Sequence, residues 1–176
     1  MTFTTFLINL DRATERLETM QAQLDGLQLD YTRIPAILGD ALPVPTPGFD
    51  ARAYRIRTGK HQNKGEIGCY FSHLKAMETF LQTDVSHALV LEDDAVLPND
   101  FVSLLQKALL HEKRWDLLRL SSSREGAFLP ITQLDAHYQL AINTRVLKNT
   151  AAYMVNRRAA KAISTHLRIM KLPYDV

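Results

Sequence analysis

Cysteine is nearly absent from this 176-residue chain, and the one present, Cys69, excludes an internal disulfide framework and any zinc site built on several cysteines. A single thiol fits a reducing compartment. Charge of one sign is scarce too: 21 Lys and Arg against 19 Asp and Glu leave a formal net charge of +2, too small to argue for nucleic acid. No apolar run approaches the ~20 residues that a bilayer span needs. The opening Met1-Thr-Phe-Thr-Thr-Phe-Leu-Ile-Asn-Leu-Asp11 lacks the charged start and longer apolar core of a signal peptide. Internal repeats and low-complexity tracts are missing as well. The expectation is a soluble, cytoplasmic protein, with peripheral membrane contact left open. With 46% hydrophobic and 23% charged residues, the chain is long enough for one domain, 1–176, with a sizeable core.

The stretch His87-Ala-Leu-Val-Leu-Glu-Asp-Asp-Ala95 stands out from this ordinary composition. Its apolar run, Ala88 to Leu91, reads as a strand buried on both faces, and it runs directly into Glu92, Asp93 and Asp94. Three adjacent carboxylates repel one another unless something positive sits among them. A divalent cation held by carboxylate oxygens is one resolution, and a solvated acidic turn before Pro98 is the other. The carboxyl end of a strand in an open α/β sheet is also where ligands bind.

Around this strand the periodicities alternate. Phe3 to Leu10 reads as a strand, with Asp11 capping a helix whose inner face is Leu17, Met20 and Leu24 and which Gly26 closes. Leu29 to Ile34 gives a second strand. A helix start beside a strand end suits phosphate, with Arg12 and Arg16 adding charge, although a solvated basic face reads equally well. Residues 39–64, carrying Pro43, Pro45, Pro47 and Gly48 and then Arg52, Arg55, Arg57, Lys60 and Lys64, read as an irregular basic insertion.

From Gly65 to Gln82, Ile67, Tyr70, Phe71, Leu74, Met77 and Leu81 recur at helical spacing. His73 within this helix reads as a structural histidine satisfied by a carbonyl or an acid, and Cys69 as a small core residue. No hydrolytic triad or nucleophile elbow accompanies His73. A further helix follows Asp100, and strands are expected over 115–120, 138–142, 145–147 and 151–155. Asn156 caps a last helix over 157–170, with Ala160, Ile163 and Leu167 inward. This alternation predicts a layered α/β domain with a mainly parallel central sheet flanked by helices.

Four segments in register resemble glycosyltransferase family 25, the lipooligosaccharide-type galactosyltransferases of bacteria. They are Phe6-Leu-Ile-Asn-Leu-Asp-Arg12 with Glu15-Arg16, Gly65-Glu-Ile-Gly-Cys-Tyr-Phe-Ser-His73, Val90-Leu-Glu-Asp-Asp94, and Ala152-Tyr153 ahead of Arg157-Arg158-Ala159-Ala160. The resemblance implies a nucleotide-sugar-binding fold of the GT-A type and inverting transfer of a hexose. Galactose from UDP-galactose is the implied donor, and a glycan or lipid-linked saccharide the acceptor. Mn²⁺ or Mg²⁺ would be held by Asp94 and Glu92. Donor contacts carry over to Asn9, Leu10, Asp11, Arg12, Arg16, Ser72, His73, Glu92, Asp93 and Tyr153.

The resemblance offers Asp175 as catalytic base, and Glu66 competes with it. Peripheral inner-membrane contact and a homo-oligomer are both open. Two departures stand out. The family continues beyond the position of Asp175, so the chain reads as lacking a C-terminal portion and part of its acceptor site. Lys148-Asn-Thr-Ala151 also stands where a glycine is expected. A second reading is an inactive nucleotide-sugar-binding module. A third, weaker one is a metal-dependent phosphohydrolase.

Overall fold

The computed structural model describes residues 3–122, 126–145 and 148–174. Five strands form the central sheet in the order β2-β1-β3-β7-β4: β1 (Phe3–Asn9), β2 (Thr32–Pro35), β3 (His87–Glu92), β4 (Leu117–Arg119) and β7 (Ala152–Asn156). β1 pairs parallel with both β2 and β3, while β7 runs antiparallel between β3 and β4. Four of the five strands therefore share one direction and β7 alone among them is reversed, so the sheet is mainly parallel, as expected, with one antiparallel strand set into it. β5 (Phe128–Gln133) and β6 (Gln139–Asn143) form a separate antiparallel hairpin.

Strand alternation splits the core into two layers. Phe3, Leu7, Leu89, Leu91, Ala152 and Met154 face one side, against Met20 and Leu24 of α1 (Thr14–Gly26) and Phe101 and Leu105 of α4 (Phe101–Leu109). Phe6, Ile8, Ala88, Val90, Tyr153 and Val155 face the other, against Ala76, Met77 and Phe80 of α3 (Lys64–Leu81) and Ala160 of α5 (Arg157–His166). The result is a sheet with helices on both faces. β3 is buried on both sides, which is why its apolar run is unbroken. Each large apolar side chain removed from water here stabilises the fold by about 1.5–3 kcal/mol before entropy is counted.

Several local expectations change. The 39–64 stretch is not irregular throughout. Asp50 accepts from Ala53 N at 2.9 Å and starts α2 (Ala51–Thr58), and Gly59 ends it in the left-handed region at φ 69°. Tyr54 of α2 packs with Ile67, Tyr70 and Leu74 of α3. Asp11 does not cap α1. That helix begins at Thr14, and Asp11 instead meets Arg33 at 2.6 Å.

α5 does start at an Asn156 cap, with the side chain accepting from Ala159 N at 2.9 Å, but it stops at His166, leaving Leu167 outside it. β5 was not expected from the sequence, since Pro130 interrupts its pattern. Arg145 lies outside any strand, and residues 146 and 147 fall outside the described ones. Among the described residues, no helix is long and apolar enough to cross a membrane.

Candidate functional site

The parallel strands bring Asn9, Pro35 and Glu92 to one end of the sheet, since Ile8 pairs in register with Glu92 and Asn9 with Pro35. β3 ends at Glu92, and Asp93-Asp94 form the turn after it, closed by Ala95 N donating to Glu92 O at 3.2 Å. Strand alternation therefore does not relate Glu92 to Asp94, and the three carboxylates meet different surroundings.

Asp93 is tied back to the first strand–helix unit. Asn9 Nδ2 donates to its Oδ2 at 2.7 Å, and Arg16 Nη1 lies 3.2 Å from its Oδ1. Arg33 donates to Asn9 Oδ1 at 2.9 Å, so β2 in turn orients Asn9. Glu92 points the other way, toward α3. Its Oε1 accepts from Thr150 Oγ1 at 2.7 Å and lies 3.3 Å from His73 Nε2. Burial works to raise the Glu92 carboxyl, but hydrogen bonds from His73 and Thr150 and the charge of Arg16 outweigh it and hold it below its ordinary value. Asp94 is exposed. Partial desolvation, and then the negative charges of Glu92 and Asp93, push its carboxyl above the usual value.

His73 is fully buried and matches the expectation of a histidine satisfied by a neighbouring acid. With Glu92 ionised, Nε2 donates to it, and Nδ1 accepts from Tyr153 Oη at 3.0 Å. Tyr153 Oη lies 3.3 Å from Tyr174 Oη, and the Tyr174 ring stacks on His73 at 4.4 Å with an interplanar angle of 6°. Burial pushes the Tyr174 hydroxyl up to about 12, and raises that of Tyr153 well above its usual value. Both phenols therefore stay protonated.

Two clefts flank this centre. The first, about 200 Å³, is lined by Asn9, Leu10, Arg12, Arg16, Ile37 to Asp40, Ser72, His73, Glu92 and Asp93. The second, about 400 Å³, is lined by Asn63, Glu66, Asn149, Thr150 and Tyr174, and shares Gly65, Cys69 and Glu92 with the first. A third space of about 640 Å³, mostly apolar, opens between the hairpin and β4–α5 and touches Thr150 and Tyr174.

Of the sequence-derived donor residues, Asn9, Leu10, Arg12, Arg16, Ser72, His73, Glu92 and Asp93 thus share one cleft. Asp11 faces Arg33 instead, and Tyr153 stands buried behind His73. Asp94 lines neither of the two clefts that flank Glu92. Ser72 has a structural duty: its hydroxyl accepts from Ile37 N at 2.8 Å and donates to Gly68 O at 2.7 Å, pinning the cleft wall to α3. Glu66 lies in the second cleft and accepts a short hydrogen bond from Tyr54 Oη. Asp175 lies outside the described residues.

Thr150, Tyr174, Arg33 and Tyr54 were not singled out by the sequence, and no local pattern marks them. Cys69 is half-buried and faces the clefts, so it is not a core residue. The missing glycine before β7 is answered by Asn149, which adopts φ 87°, a conformation asparagine tolerates better than most.

Comparison with known proteins identifies the family. The profile of glycosyltransferase family 25 (LPS biosynthesis protein) matches residues 2–176. Procollagen galactosyltransferase 1-A of Xenopus laevis is 29% identical over 181 residues, covering 97% of this chain and 29% of the relative. A glycosyltransferase 25 family member of Aedes aegypti is 28% identical, with 97% and 29% covered. A human protein named inactive glycosyltransferase 25 family member 3 is 27% identical over 124 residues, covering 65% of this chain and 21% of the relative. The chain spans less than a third of the length of these relatives. With nearly its whole length matched by the family profile, this chain belongs to glycosyltransferase family 25.

Proposed function

We propose that this chain transfers a hexosyl group, galactose, from a UDP-sugar to a hydroxyl of a bacterial surface glycan such as lipooligosaccharide, with inversion. The observation that carries the reading is the pair of clefts meeting at Glu92, one lined by Asn9, Arg12, Arg16 and Asp93 and the other by Glu66 and Thr150. Inverting transfer needs a donor on one side of the anomeric carbon and an acceptor hydroxyl with a base on the other. A layered sheet with ligand groups at its strand ends supports a GT-A reading.

The donor set at the end of β3 fits a hard divalent cation, Mn²⁺ or Mg²⁺. All its atoms are carboxylate oxygens, and partial desolvation together with the charges of Glu92 and Asp93 disfavours the ionised Asp94, which a cation would relieve. Asp94 and the second oxygen of Glu92 would hold the ion, because both bonds to Glu92 fall on Oε1. Such an ion supplies charge stabilisation for the departing diphosphate. Asp93 does not join them. Its two oxygens face Asn9 and Arg16, and it holds the loop in place. Arg12 and Arg16 offer the diphosphate paired N–H donors. Glu66, held by Tyr54, is the described carboxylate on the acceptor side and the candidate base.

Similarity to a relative named inactive supports a second reading, a nucleotide-sugar-binding module without turnover. Release of UDP from UDP-galactose, measured with and without a saccharide acceptor, separates the two. Acceptor-dependent release supports transfer. Release without acceptor points to hydrolysis, and tight UDP binding with no release refutes the enzyme reading.

A further inference from the structure

We infer that Cys69, His73 and Glu92 form a binding site for a borderline-soft divalent ion, Zn²⁺ by preference, which shares Glu92 with the oxygen-rich turn at Asp94 but differs from it in donor chemistry. The three offer one thiol sulfur, one imidazole nitrogen and one carboxylate oxygen, all within 4.8 Å of one another. A tetrahedral zinc with one sulfur and one nitrogen donor holds them about 3.5 Å apart, so the donors need to draw in by little more than about 1 Å. Cys69 and His73 stand four residues apart on α3, which places both on one helix face, and β3 delivers Glu92 to them. Both flanking clefts reach Cys69 and Glu92, leaving an open position for water as fourth ligand.

The surroundings of His73 are those that a metal-binding imidazole needs. Its ring plane is fixed by the Tyr174 stack, and its far nitrogen meets Tyr153 Oη at 3.0 Å. The protons balance without stranding a buried group. When Nε2 takes the ion, its proton leaves and Nδ1 gains one, so that Nδ1–H donates to Tyr153 Oη. Tyr153 then turns its own proton to Tyr174 Oη, 3.3 Å away. The thiol proton of Cys69 goes to solvent, and Thr150 continues to donate to Glu92. A thiolate with imidazole selects zinc or cobalt over magnesium, whereas a site of carboxylate oxygens alone does the reverse.

This inference does not rest on the proposed transfer reaction, and its test does not use activity. Co²⁺ is titrated into the full chain in chelator-free buffer with a phosphine reductant. Because Cys69 is the one cysteine, a sulfur-to-cobalt charge-transfer band in the near ultraviolet reports that residue alone. The expected result is this band at one ion per chain, bleached by Zn²⁺ and not by excess Mg²⁺. Cys69→Ser, a near-isosteric change expected to fold, should lack the band and bind Zn²⁺ at least tenfold more weakly. Asp94→Asn should keep both. No band, a band at one ion per two chains from a bridged dimer, unchanged Zn²⁺ affinity in Cys69→Ser, or loss of the band in Asp94→Asn would each overturn the assignment.

Discussion

Replacing Gly68 by alanine should destabilise the protein even though alanine is the better helix former. In an exposed helix the exchange gains about 1 kcal/mol. At position 68 the added methyl would lie 2.4 Å from Ile37 O and 2.8 Å from Gly39 N, both backbone atoms that no rotamer change can move aside. Overpacking of this kind costs about 1–3 kcal/mol. Displacing Ile37 also breaks its 2.8 Å bond to Ser72 Oγ, about 1 kcal/mol more. The net expectation is about 2 kcal/mol lost, or roughly 4–8 °C in melting temperature for a chain of this size. Gly26→Ala, where nothing lies within 4 Å of the new methyl, is the control and should gain a few tenths to about 1 kcal/mol. Urea and thermal melts of the two variants read both numbers, and UDP titration reads the cleft wall that Ile37 to Gly39 form. A Gly68→Ala protein as stable as the parent would refute the packing argument.

Glu92 is held below its ordinary value near 4.5, so its stabilisation is full above that pH and lost as pH falls through the lower folded value. Glu92→Gln should therefore cost about 1–3 kcal/mol at pH 7 and flatten the stability curve in acid, as urea melts from pH 3 to 7 would show. Asp94 has the opposite sign: its charge opposes folding at neutral pH, and this penalty vanishes as pH falls below its ordinary 3.8. Asp94→Asn should thus raise the melting temperature at pH 7 but not at pH 3, while weakening Mn²⁺-assisted UDP binding in calorimetry. Asn156→Ala should lose about 1–2 kcal/mol, the upper part of the capping range, because the side chain also donates to Asp116 Oδ1 at 2.7 Å. Thermal melts check it, and a loss under about 0.5 kcal/mol would contradict the double role.

Long-period features were legible and pairings across the fold were not. The α3 stripe and the β3 apolar run are set by burial on known faces, so Ile67 to Met77 and Ala88 to Leu91 could be read from spacing alone. The direction of β7 could not, because Ala152 to Val155 is buried on both faces and its pattern is the same whichever way it runs. Asp11 is a good cap by residue type, yet an arginine 22 positions away captured it, a competition invisible to local reading. Part of the first cleft was legible because Asn9 and Glu92 end strands and Arg16 lies in the first turn of α1, whereas His73 sits mid-helix and was picked out by the resemblance. Thr150 and Tyr174 reach the second cleft from loops, where no periodicity marks them.

The reversed strand has an architectural consequence. In a parallel strand the loop that follows it reaches the ligand end, so insertions there change the site. β7 runs the other way, and Thr150, entering it, donates to Glu92 Oε1. A change of residue at Thr150 thus acts on Glu92 from the entering side of a strand, without altering any sheet register. The Glu92 centre is therefore addressed from both sheet directions, by the turns that leave β1 and β3 and by the residue that enters β7.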